Sequence, residues 1–90
     1  MAAQRSVDHY IVVRSVTYAQ TVLRILRAKG LRAWIGKSPV QITDAGCGHA
    51  VRVPNADSEY LRRILETSGL PRFRIYSTAD GVNFQEEGGV

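Results

Sequence analysis

The sequence predicts an α+β domain of βαββαβ layout. Two βαβ halves interleave into a four-stranded antiparallel sheet, order 4-1-3-2, with two helices on one face, the ferredoxin-like arrangement. Three observations carry this expectation. Short β-branched runs alternate with two stretches of helical periodicity, each helix is stopped by a glycine, and the stop repeats, Ile25-Leu26-x-x-x-Gly30-Leu31 returning as Ile64-Leu65-x-x-x-Gly69-Leu70.

HYIVVRSV (9–16) reads as the first strand, and Thr17 with Gln20 fits a capping box opening the helix YAQTVLRILRAK. RAWIG (32–36) is the second strand, and KSPVQITDAG is a long polar connection into a third, CGHAVRV (47–53), ended by Pro54. Asn55 or Asp57 can cap the second helix, SEYLRRILETS, and RFRIYS (72–77) is the fourth strand. Residues 1–78 then form one domain and 79–90 a mobile C-terminal tail, from which Val82 and Phe84 can pack back.

Val22, Leu23 and Leu26 on the first helix, with Leu61, Ile64 and Leu65 on the second, supply the stripes that cover the sheet. Period-two alternation aims Ile11, Val13, Ala33, Ile35, Val51, Val53, Phe73 and Ile75 at them. The opposite face receives Tyr10, Val12, Arg14, Arg32, Trp34, Arg52, Arg72, Arg74 and Tyr76, a surface this fold leaves uncovered.

At 90 residues the chain supports one modest core and no large enclosed cavity. Its 44% apolar and 22% charged content is ordinary for a globular chain, and no apolar run approaches the roughly 20 residues that cross a bilayer. The N-terminus lacks the apolar stretch of a secretory signal and one cysteine forms no internal disulfide, so the expected location is the cytoplasm. A net charge of +4 permits an anionic partner without requiring one.

The chemistry concentrates in Asp44-Ala45-Gly46-Cys47-Gly48-His49. In this topology the third strand begins where the first helix begins, so a thiol at Cys47 would meet helix N–H groups and the cations Lys37, Arg14 and Arg72, all of which favour the thiolate. Gly46 and Gly48 leave it unobstructed, and His49 shares its strand face by parity and can exchange a proton with it. From the residues alone, a lone cysteine at a strand start is more often a small buried apolar residue than a nucleophile. One Cys and two His fall short of a structural zinc set, no phosphate loop or nucleophile elbow is present, and neither a metal nor a cofactor is called for.

From about residue 8 to 78 the chain resembles the putative selenium/sulfur carrier protein-like family. The resemblance rests on the layout of elements and on Pro39-Val40-Gln41 leading into Asp44-Ala45-Gly46-Cys47-Gly48-His49-Ala50-Val51-Arg52-Val53; Ala45 and Gly46 stand where serines are usual. It implies a carrier rather than an enzyme, with Cys47 accepting sulfur or selenium from a donor protein and passing it to an acceptor. The competing reading is a binding or oligomerisation module that uses Trp34, Arg52, Arg72 and Arg74 on the open face against an acidic protein or a second copy. Single-stranded RNA fits less well, because the third strand lacks the stacking aromatics of RNA-binding sheets.

Overall fold

The computed structural model describes residues 7–45, 48–70 and 72–89. Strand β1 (Asp8–Val13) is followed by helix α1 (Val16–Ala28) and strand β2 (Trp34–Lys37), and a 3-10 segment (Val40–Ala45) precedes strand β3 (His49–Pro54). Helix α2 (Ser58–Thr67), strand β4 (Phe73–Thr78) and strand β5 (Gln85–Gly89) complete the order.

Both helices follow from their sequence stripes. Ala19, Val22 and Leu26 of α1 and Leu61, Ile64 and Leu65 of α2 are buried at helical spacing, and they meet Ile11, Val13, Val51, Val53, Phe73 and Ile75 from the sheet. Leu23 is only partly buried, and Ala19 takes the inner place. The N-cap of α1 is Ser15 rather than Thr17, its hydroxyl accepting from the Tyr18 N–H at 3.2 Å. Asp57 caps α2, accepting from the Glu59 N–H at 3.1 Å.

Helix α1 ends in a Schellman motif. The Leu31 N–H donates to the Leu26 carbonyl and the Gly30 N–H to Arg27, both at 3.0 Å, and Gly30 holds φ +82°. A Cβ there would meet open space, so strain in the left-handed backbone is the whole cost of a side chain. Gly30→Ala is expected to lower the unfolding free energy by about 1–2 kcal/mol, read from urea unfolding; a neutral substitution would mean the turn readily adopts another form.

The described residues form a five-stranded antiparallel sheet in the order β2-β3-β1-β4-β5. This corrects the expected four-stranded sheet in the order 4-1-3-2: the stretch 79–90, expected as a tail, contributes β5 on the outer edge of β4. Its sequence, QEEGG, has little strand propensity, and what holds it is the neighbouring strand and side chains distant in sequence. The Ser77 hydroxyl donates to Glu87 at 2.5 Å, and Arg74 pairs with Glu86 at 3.3 Å.

The turn into β5 is built by Asp80. Its carboxylate accepts from the Asn83 and Val82 N–H groups at 2.8 Å and from the Asn83 side-chain amide at 2.9 Å. These hydrogen bonds, the Asn83 N–H foremost, hold its carboxyl well below the usual range.

The face away from the helices is also less open than expected. Ile42 of the 3-10 segment packs over Val12 and Ala50, while Phe84, just before β5, meets Tyr10 edge to face at 5.6 Å between ring centroids. The Gln41 side-chain amide donates to the Val82 carbonyl at 3.2 Å and joins these two coverings. An apolar residue in each connection, not a third helix, roofs this side.

Candidate functional site

The β2–β3 connection is where the sequence concentrates its chemistry. Lys37 pairs with His49 at the end of the ladder, and one further bond, the Ser38 N–H to the Gly48 carbonyl at 2.9 Å, closes the neck. Pro39 has no N–H to extend the pairing. Its carbonyl instead accepts from the Ile42 N–H at 3.0 Å, starting the 3-10 turn that seats Ile42 on the sheet. Gly48 has φ +86°, which turns the chain back into β3 and which a residue with a side chain would resist.

Gly46 and Cys47, and with them the expectation that the cysteine lies at the start of the first helix, fall outside the described residues. Their flanks are described. Because Val12 pairs with Ala50 and Val13 with Phe73, the end of β1, the start of β3 and the start of β4 share one end of the sheet. Arg14 follows β1 there, Arg72 precedes β4, Lys37 closes β2 and His49 opens β3, all four exposed. The N-terminus of α1 opens at the same end, with no acidic residue in its first turn to offset its partial positive charge.

The other predicted binding residues lie elsewhere. Trp34, Arg52, Tyr10 and Tyr76 form a single cross-strand row, with Arg52 three residues along β3 from His49, about 10 Å away, and on the opposite face by parity. The Arg52 guanidinium lies 5.8 Å from the centroid of the half-exposed Trp34 ring, and its Nε donates to Asp8 at 3.2 Å. Arg74 is paired with Glu86 on the same face. Both arginines therefore carry an acidic neighbour, and the positive charge of this surface is partly neutralised within the domain.

One polar site was not singled out from the sequence. His9 is 3% exposed, and its Nε2 lies 2.7 Å from the Ser58 hydroxyl at the start of α2. Burial pulls its pKa below the ordinary histidine value, against the opposing charges of Glu87, Asp57 and Asp8. The signal was present in the alternation: His9 shares the parity of Ile11 and Val13, which places it on the helix-covered face.

Among the described residues no helix is long and apolar enough to cross a membrane, and no three His, Asp or Glu side chains gather as a metal site. No curated protein and no solved structure matches the chain. A family model described as "Putative Se/S carrier protein-like" matches residues 8–77, running from the first residue of β1 to the penultimate residue of β4. That span takes in both helices, the β2–β3 connection and four of the five strands, and the chain belongs to this family.

Proposed function

We propose that the protein is a cytoplasmic carrier, not an enzyme, that holds sulfur or selenium on Cys47 between a donor and an acceptor protein. The family match over residues 8–77 carries this reading. In the loading step the Cys47 thiolate attacks the terminal sulfur of a donor persulfide. A sulfur–sulfur bond forms at Cys47, the donor's sulfur–sulfur bond breaks, and the donor leaves as a thiolate. No electrons enter or leave, and no bound cofactor is needed. Unloading is the same displacement with the acceptor as nucleophile, and selenium follows the same balance as a selenopersulfide.

The groups gathered at this end of the sheet each have a role in this scheme. Lys37, Arg14, Arg72 and the N-terminus of α1 favour the anionic forms of Cys47 and its persulfide. Gly46 and Gly48 give a partner protein close access to the sulfur, and His49 exchanges the proton that a thiol must lose. The same basic end suits docking of donor and acceptor proteins with acidic surfaces around their own sulfur sites.

Intact mass after incubation with a cysteine desulfurase and cysteine tests the reading. The expected result is a gain of one sulfur atom, removed by reductant and absent in Cys47→Ser, whose thermal unfolding matches that of the parent. Alkylation of Cys47 should titrate below the pKa of an ordinary thiol. No mass gain together with an ordinary thiol titration would reject the carrier role.

A further inference from the structure

We propose that His9 is an acid-sensitive latch for β5: its uncharged ring is sealed beneath the β4–β5 side of the sheet, and protonation releases β5 from β4. The placement comes from register. His9 on β1 pairs with Ser77 on β4, and Ser77 pairs with Gln85 on β5, so the three lie in one row on the helix-covered face. The β4–β5 pairing shifts register between Ile75 and Tyr76, where Gly88 pairs with Ile75 and Glu86 with Tyr76. Glu87 is thereby the extra residue of a β-bulge. A bulge re-aims a side chain, and this one sends Glu86 to Arg74 on one face and Glu87 to the Ser77 hydroxyl on the other.

The groups around the ring are few. Ser58 of α2 holds Nε2, and the Val53 backbone approaches from β3, yet Nδ1 is buried and closes no hydrogen bond among the described residues. The charges that face it are Glu87 on β5, Asp57 at the cap of α2 and Asp8 on β1. All three favour a protonated ring, but burial opposes it and wins, and the partial positive charge at the start of α2 acts in the same sense as burial.

The consequence has a definite sign. With its folded-state pKa below 6.5, His9 contributes stability that is complete above that value and lost as pH falls toward the folded pKa. A structure under this load opens where opening costs least. β5 is held on one side only, carries two glycines and a bulge, and joins the sheet outside the main apolar core. Its release wets the ring, frees Glu87 from Ser77 and draws Phe84 away from Tyr10, baring the second face of the sheet. None of this depends on Cys47.

Amide hydrogen exchange on the full chain, corrected for intrinsic rates and compared at pH 7 and pH 5, tests the latch. Protection of the amides that join β4 and β5 should fall, by at most about 25-fold, the ceiling set by an ordinary histidine in the open form. The β1–β3 amides should change little. In His9→Gln the pH dependence of β5 should vanish. In Glu87→Gln the His9 resonances should titrate at still lower pH. Unchanged β5 protection between the two pH values, equal loss in His9→Gln, or uniform loss across all strands would each overturn the proposal, and the first and last are read on the parent protein even if a variant fails to fold.

Discussion

Phe73→Ala is expected to lower the unfolding free energy by about 3–5 kcal/mol. Phe73 opens β4, is 2% exposed and pairs with Val13. It is the largest of the fully buried side chains, and it belongs to the core cluster that joins both helices to the sheet. Removing its ring leaves a void that a sheet tied to two helices cannot close. A domain of this length has a total stability on the order of 5–13 kcal/mol, so the substitution removes a large part of it, and each kcal/mol lowers Tm by about 4–8 °C. Phe73→Leu, which keeps most of the volume, should cost less than about 1.5 kcal/mol. Urea unfolding of the two variants checks the pair, and equal small losses would place the centre of the core elsewhere.

That core was legible because it is periodic. Strand alternation and the spacing of Val22, Leu26, Leu61, Ile64 and Leu65 are local properties of the chain, and they predict most of the buried interior, with Leu23 and Ile35 only partly buried and Ala19 added. The first helix start was misplaced for an equally local reason. Ser15 and Thr17 are both competent caps, and the match of Thr17 to Gln20 favoured the later one; β1 already ends at Val13, so the chain enters the helix at Val16 and Ser15 makes the bond.

What escaped was non-local. Asp8 lies 44 residues from Arg52 and Glu86 lies 12 from Arg74, so the partial neutralisation of the arginine face has no signature in any window of sequence. The bulge that brings Glu87 to Ser77 on the helix-covered face depends on a register that only pairing defines. At the candidate site the sequence pointed to the cysteine and its glycines. The structure adds the neck closed by Ser38 and Gly48, the anchoring of the connection through Ile42, and the separation of Trp34 and Arg52 from His49.

Ending the chain after Thr78 should lower stability by about 2 kcal/mol, or about 8–16 °C in Tm, while leaving a cooperatively folded domain. The loss is chiefly apolar. Phe84 no longer covers Tyr10, and the Arg62 stem loses its contact at Gly88, where a Cβ would stand only 3.1 Å away. The ion pair of Arg74 with Glu86 is half exposed and counts for little. Ser77, buried where β5 joins β4, and Thr78, bonded to Asp80 and Gly81 of the turn, become edge residues that water can reach, so no polar group is stranded. The remaining four strands and both helices keep their shared core, and the shortened chain contains the whole span over which the family match runs. Thermal unfolding of the shortened chain separates three structures of this region: an unchanged Tm would describe a tail that adds nothing, complete unfolding would make β5 integral to the core, and the intermediate fall expected here marks an edge strand that stabilises the domain without defining it.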